Sequence, residues 1–367
     1  MGLSVLAINC GSSSLKYAFF DADESGERAI ARGAVNRIGA AVPNHAAAVQ
    51  AALQALSDRG LSRPDVVGHR IVHGGPDRGA PALVDDALLA SLRALVPFAP
   101  LHLPAEIGAI DALSAAWPGL PQVACFDTAF HRALSEVAQR YALDERMHKA
   151  GVRRYGFHGL SYEYVVETVG AETLGRAVLA HLGSGASMAA VRDGRAVDTS
   201  MGFTPSGGLV MATRPGDVDP GLIVHLVREG YDARKLDDLV NRGAGMLALG
   251  GTGDMRELLA RRGTEPRAAL AVDVFVWSAR KWVGAMAAAL GGIDTVVFTG
   301  GIGEHAPEVR SAIAAGLEHL GVRVDEARNA RGDAVISAEG SPCTVRVVPT
   351  DEERMVARHA RRVVARS

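Results

Sequence analysis

The 367 residues carry 39 Lys plus Arg against 41 Asp plus Glu, a formal charge of −2, and 48% of them are hydrophobic. That apolar fraction and length suit two ordinary domains or one large one, and exclude a disordered chain. The balanced charge excludes a dedicated nucleic-acid binder, whose basic face would dominate the total. The opening MGLSVLAIN lacks the basic start and long apolar run of a signal peptide, and no stretch reaches the ~20 apolar residues of a membrane span. Cys10, Cys125 and Cys343 are far apart in apolar surroundings, so they read as small buried hydrophobes in a reducing compartment. The expectation is a cytoplasmic protein with no membrane or nucleic-acid partner. Only four of the basic residues are lysines (Lys16, Lys149, Lys235, Lys281), so a single arginine carries little information here.

In chain order, Ser4–Asn9 reads as a strand, Cys10-Gly11-Ser12-Ser13-Ser14 as a tight turn and Leu15–Phe20 as the returning strand. Asp65–His73 is a β-branched run closed by Gly74-Gly75. Two Ala/Leu-rich helical stretches lie between Asp85 and Ala116, and Gln122–Phe126 is a short buried strand stopping at Asp127. From Arg176 the chain starts again: Val178-Leu179-Ala180-His181-Leu182-Gly183-Ser184-Gly185-Ala186-Ser187 echoes Val5–Ser14. An Asp193-Gly194 turn then leads into a strand at Arg195–Thr199. Such an echo suggests a duplicated domain, although two unrelated Gly/Ser turns would give the same pattern. Helical stretches follow at Pro220–Glu229, Ala268–Leu290 and Pro307–Leu320, with an apolar strand, Ile293–Thr299, ending in Gly300-Gly301-Ile302-Gly303-Glu304. The tail gives a strand at Thr344–Val348, and Thr350 with Glu353 has the capping-box spacing that opens a last helix to about Arg362.

No P-loop, nucleophile elbow or HExxH motif is present. Three glycine-rich turns remain, at Gly11, Gly183–Gly185 and Gly300–Gly303, each at the carboxyl end of a strand, where successive backbone amides suit a phosphate chain. Gly301-Ile302-Gly303-Glu304-His305-Ala306 also fits a dinucleotide fingerprint, with Asp325 downstream, which leaves a dehydrogenase reading open. Charged residues at strand ends form a second set: Arg70, Asp127, His158, Arg214 and Glu352.

These segments resemble the acetate kinase family. Ile8–Lys16 resembles its N-terminal signature, Gly68–Gly75 its HRVVHGG, Ala99–Pro104 its APLHNP and Phe126–His131 its FDTAFH. Tyr155–Gly159 is similar to YGFHG, Asp198–Pro205 to DTSMGFTP, Thr213–Pro220 to TRSGDIDP, Phe298–Glu304 to FTAGIGE and Pro349–Glu353 to PTDEE. The resemblance implies an α/β chain of two duplicated ribonuclease H-like domains, the actin-like ATPase fold, facing an interdomain cleft. Residues 1–126, completed by the C-terminal helix at about 354–367, would form the N-terminal domain. Residues 127–353 would form the nucleotide-binding and dimerisation domain of a homodimer. It implies reversible phosphoryl transfer between ATP and acetate, giving acetyl phosphate and ADP, with Mg²⁺ or Mn²⁺ as metal.

Residue by residue, the resemblance gives Asn9 and Glu352 to the metal. Asp127, His158 and Arg214 are catalytic. Arg70, Val72, Leu101, Phe157 and Pro205 bind the substrate acid. Lys16, His181, Leu182, Gly183, Ser184, Gly185, Asp254, Met255, Arg256, Gly301, Ile302, Gly303, Glu304 and His305 bind the nucleotide, with Lys16 in the first phosphate turn. Val72 in the acyl pocket favours acetate over propionate, a discrimination of ~1–3 kcal/mol per methylene. The chain departs from the family pattern at Leu103, Tyr162, Ser184, Ser206-Gly207 and His305. Two alternatives stand beside this reading: a propionate- or butyrate-type short-chain acyl kinase, and a nucleotide-binding relative whose phosphoryl transfer is impaired by changes such as that at Ser184.

Overall fold

The computed structural model describes residues 2–11 and 13–366; Ser12, inside the first Gly/Ser turn, lies outside the described residues. Strand β1 (Leu3–Cys10) turns back into β2 (Ser14–Asp23) and β3 (Gly26–Asn36). Then come β4 (Val66–Ile71), the short β5 (Ala82–Leu83) and β6 (Gln122–Phe126), in a sheet of order β3-β2-β1-β4-β6-β5. The β1–β2–β3 pairs are antiparallel, and β1–β4 and β4–β6 are parallel. The second set is β7 (Arg176–Leu182), β8 (Ala186–Arg192), β9 (Arg195–Thr199), β10 (Thr295–Thr299) and β11 (Thr344–Val347), in order β11-β10-β7-β8-β9. It has the same antiparallel meander and the same parallel pairs. The echo in sequence is therefore an echo in topology: three meandering strands, then two parallel ones added beside the first.

The chain divides into two compact units. The first holds residues 1–132, 157–164 and 351–367, and the second holds 133–156 and 165–350. Relative to the expected division at 126/127 and about 354, the first unit also takes in 127–132, 157–164 and 351–353. The physical reason is hydrogen bonding at Asp127: its amide donates to Ile71 O and its carbonyl accepts from Gly159 N. A Cβ on Gly159 would lie 2.1 Å from Asp127 O, so only glycine permits that approach.

In the first unit, side chains alternate across β1. Leu6 and Ile8 pack with Leu15, Tyr17 and Phe19 beneath the His45–Ser57 and Leu103–Ala116 helices. Val5 and Ala7 pack with Ala18, Phe20 and Val123 against Met355, Val356, Ala357 and Ala360 of the C-terminal helix, Glu352–Val364. Burial on both faces explains why β1 reads as a continuous apolar run. In the second unit the Pro266–Leu290 helix lies across β7, β8 and β9, with Phe275, Val283 and Met286 buried.

Local corrections follow from capping. Asp351, not Thr350, caps the last helix: its carboxylate accepts from Arg354 N at 3.0 Å, while the Thr350 amide donates to Glu304 Oε1 at 3.1 Å. The glycine run after β10 is a short helix, Gly300–His305, and the stretch expected as one helix over 307–320 ends at Ala314, with a 3₁₀ turn at Glu318–Leu320. Asp325 accepts from Ala327 N and Arg328 N as the cap of Glu326–Arg331, a local structural role for the acid downstream of the glycine run. The three cysteines are free and buried, and burial pushes the Cys10 and Cys343 thiols up to about 12. No helix among the described residues is long and apolar enough to cross a membrane.

Candidate active site

Parallel strands end together on one edge of a sheet, and there the first unit gathers its charge. Arg70, at the end of β4, donates from Nε to Asp127 Oδ1 and Oδ2 at 3.2 and 3.1 Å, and from Nη1 to Asn9 Oδ1 at 3.0 Å. Its Nε also stands 3.6 Å from Glu352 Oε2. Asn9 Nδ2 donates to Glu352 Oε2 at 3.2 Å and to Glu353 Oε1 at 3.3 Å, joining residues 343 and 344 positions apart. The last helix thus sets two carboxylates against β1 from its first turn, where the macrodipole favours them. Burial depresses the Arg70 pKa, but Asp127 and Glu352 more than offset that, so the net direction is up and the guanidinium stays charged. Burial and the Glu352 charge lift Asp127 to about 6 against the pull of Arg70.

His158 lies on the Tyr155–Gly159 turn with φ at 57°, in the left-handed region. That conformation costs a non-glycine residue about 1–3 kcal/mol and persists where surroundings impose it. Its backbone amide donates to the Asp127 carboxylate, which ties the turn to that group. Val72 and Phe157 are buried, Leu101 is half-buried, and the His73 ring meets Phe157 edge-on at 5.7 Å. Arg70, Val72, Leu101, Asp127, Phe157, His158, Asn9 and Glu352 thus belong to one unit.

The second unit carries the other candidates. The β7–β8 turn is closed by Gly183 N donating to Gly185 O at 3.0 Å; His181 and Leu182 are buried below it, and Ser184 is exposed. Gly300 has φ at 76°, and a Cβ there would meet Leu182 O at 2.9 Å, so the β10 turn and the end of β7 adjoin because the residue is glycine. Glu304 Oε1 accepts the Gly300 amide at 3.0 Å, and the buried Arg310 holds the Gly303 and Glu304 carbonyls at 2.9 Å each. Gly301 and His305 are exposed and Ile302 is half-buried. Arg214 donates from Nη1 to Pro205 O at 3.1 Å. Asp254 caps the Met255–Arg261 helix and pairs with Arg256, whose hydrogen bond holds the Asp254 carboxyl down at about 2; Met255 is buried.

Lys16 is a correction: it sits on β2, exposed, in register opposite Asn9, not in the turn. Sequence reasoning missed Glu106. It is buried within the Leu103–Ala116 helix and accepts from Val72 N at 3.1 and 3.3 Å, and burial raises its pKa to about 8. An acid just after Pro104 reads as an ordinary helix start, so no signal pointed inward. It also gave Glu353 to the cap, where it is instead the second acceptor for Asn9. Two departures have packing explanations: Leu103 is fully buried with Ile71, Leu88 and Ile110, and Tyr162 is buried beside Phe130 and His131. Ser206 Oγ donates to Asn241 Oδ1.

The oxygen donors Asn9, Asp127 and Glu352 are hard ligands, two carboxylates and one amide, and no group of three or more His, Cys, Asp or Glu side chains placed to hold a metal occurs among the described residues. That set fits Mg²⁺, which keeps several waters and takes one or two carboxylates plus substrate phosphates.

The family model described as the Acetokinase family matches residues 4–358. An acetate kinase of Nitrobacter hamburgensis is 45% identical over 386 residues, 97% of this chain and 95% of that one. The crystal structure of the Porphyromonas gingivalis acetate kinase superposes with a TM-score of 0.88 at 37% identity, over 98% of this chain and 99% of that one. A propionate kinase from Francisella tularensis gives 0.91 at 32% identity, again over 98% and 99%. With the duplicated strand order and the motif residues standing at strand ends, agreement of this extent means that the chain belongs to the acetokinase family.

Proposed function

We propose that this protein is a Mg²⁺-dependent kinase that transfers the γ-phosphoryl group of ATP reversibly to acetate, giving acetyl phosphate and ADP. The observation that carries the reading is the Arg70 clamp: a charged guanidinium held by Asp127 and Asn9, two residues from buried Val72 and in one unit with Phe157 and His158. A carboxylic acid with a pKa near 4 is already ionised at neutral pH, so the nucleophile needs no base. What it needs is relief from repulsion between two anions. Arg70 binds the carboxylate, and its planar fork is kept in orientation by Asp127. The carboxylate oxygen attacks the γ-phosphorus as the bond to the ADP oxygen breaks. Arg214 and His158 are the groups that stabilise charge on the phosphoryl oxygens during this loose in-line transfer.

Asn9 and Glu352 would hold the metal, with Asp127 nearby. Bound with ATP, it would neutralise charge on the phosphate oxygens. The turns at His181–Gly185 and Gly301–His305 supply backbone amides to the phosphates, and Asp254, Met255 and Arg256 border the base. Lys16, on β2, supplies long-range positive charge. Cytoplasmic location is supported by the three free cysteines. A homodimer is supported by exposed Leu222, Val224 and Val227 on the Pro220–Arg228 helix.

The test is hydroxamate formation with ATP, Mg²⁺ and acetate, repeated with propionate and butyrate and with GTP or pyrophosphate as donor. Acetate with ATP is expected to give the highest kcat/KM. Turnover on propionate or butyrate alone would make this a longer-chain acyl kinase, and nucleotide binding without turnover on any acid would make it an impaired relative.

A further inference from the structure

We propose that Glu106 is a positioning residue that sets the acyl-chain wall of the substrate pocket by holding the backbone at Val72. The parallel β4–β6 ladder ends at Ile71 and Phe126, and the Ile71 carbonyl is taken by the Asp127 amide. Val72 N–H follows the end of that ladder and is buried, and among the described residues no strand pairs with it. The Glu106 carboxyl supplies the acceptor, both oxygens lying within 3.3 Å. Two residues on, Gly74 N–H is met in the same way by Thr128 Oγ1 at 3.2 Å. The segment from Arg70 to Gly74 is therefore fixed by side-chain acceptors standing in for a strand.

A buried amide left without its acceptor costs about 1–3 kcal/mol, so the segment would shift to find another. Val72 and the His73 ring against Phe157 would shift with it. A carboxyl group buried to 1% exposure needs such a purpose, since an apolar side chain would fill the space at lower desolvation cost. Burial lifts its pKa to about 8, which keeps it neutral at pH 7 and makes glutamine a fair isostere, with one acceptor and one donor.

The inference rests on the acyl-kinase reading of the site, and the experiment separates the two. Wild type, Glu106→Gln and Glu106→Ala are assayed on acetate and propionate at saturating ATP and Mg²⁺, with thermal melting recorded for each. Glu106→Ala is expected to raise the acetate KM about 10-fold or more with a smaller change in kcat, and to narrow the acetate-over-propionate ratio of kcat/KM. Glu106→Gln is expected to restore both to within about 3-fold of wild type. If Glu106→Ala melts as wild type and keeps both KM and the ratio, or if Glu106→Gln is as impaired as alanine, the inference is overturned. If Glu106→Ala does not fold, the glutamine variant decides alone: wild-type KM and ratio support the role, and a changed ratio ends it. A wild-type protein inactive on every acid defeats the acyl-kinase reading, and the inference with it.

Discussion

The two sheets share one strand order, yet their carboxyl edges carry opposite chemistry. At the ends of β1, β4 and β6 stand Asn9, Arg70 and Asp127, joined by side-chain hydrogen bonds and closed by the carboxylates of the last helix. At the ends of β7 and β10 stand glycine-rich turns whose contacts run from backbone amides: Gly183 N to Gly185 O, and Gly300 N to Glu304 Oε1. Topology fixes where an exposed strand edge occurs. The residue after each strand then decides whether that edge offers fixed charges, suited to a carboxylate and a metal, or oriented amides, suited to phosphates.

The sharpest test of that contrast compares the two arginines. Arg214→Ala should lower kcat by more than ~100-fold, because it removes positive charge from a developing anionic transition state. Arg70→Ala should also raise the acetate KM and destabilise its unit, since Asp127 loses the partner that offsets its burial. Steady-state kinetics with thermal melts on both variants check this, and equal behaviour would erase the distinction.

The proposed metal pair, Asn9 and Glu352, comes next. Glu352→Ala should raise the Mg²⁺ concentration needed for half-maximal rate steeply and depress kcat, with little change in melting temperature. Glu353→Ala should shift it less, although Glu353 shares the Asn9 amide and does not serve as the cap. Magnesium titrations of both variants decide, and a larger effect at Glu353 would move the ligand by one position.

On the apolar side, Val72→Ala should shift kcat/KM toward propionate by roughly 10-fold, the scale of one buried methylene. An unmoved ratio would take Val72 out of the pocket. Asp351→Ala should cost ~1 kcal/mol of stability by leaving the Arg354 amide without its cap, measurable by denaturant unfolding. Thr350→Ala should cost less.

The smallest expected effect is that of pH. Glu106 rises from an ordinary value of 4.5 to about 8, so the fold favours its neutral form. A raised pKa means that this contribution is fully present below about 4.5 and is lost as pH rises through about 8. The melting temperature of wild type relative to Glu106→Gln should therefore fall across that window and level off above it. A difference that stays flat with pH would show that Glu106 is ionised throughout.

Much of this was legible in the sequence where the local pattern and the burial agree. Gln122–Phe126 and Arg195–Thr199 are strands to the residue, bounded by Asp127 and by the Asp193-Gly194 turn. The β3 strand escaped because Glu27, Arg28 and Arg32 make it read as polar, although Glu27 is buried against Arg358 of the last helix. The last helix shows the limit at the cap: Thr350 and Asp351 are both good caps in sequence, and the choice depends on Glu304, 46 positions away, taking the Thr350 amide. The motif residues Asn9, Arg70, Asp127 and Glu352 were named through family resemblance, but their mutual hydrogen bonds depend on chain crossings that no local pattern encodes. Glu106 was illegible for the same reason.

The C-terminal helix has a consequence for the order of synthesis. Met355, Val356, Ala357 and Ala360 pack on one face of the first sheet, yet they are synthesised only after all of the second unit, which ends at Thr350. The nascent chain must carry Val5, Ala7, Phe20 and Val123 uncovered while the 210 residues of the second unit, 133–156 and 165–350, emerge and fold. Until the helix arrives, the Arg70 cluster also lacks Glu352 and Glu353. A chain broken off before residue 351 would therefore present an open apolar face and no completed charge cluster, which makes truncated products targets for chaperones and proteases and not for slow, partial catalysis.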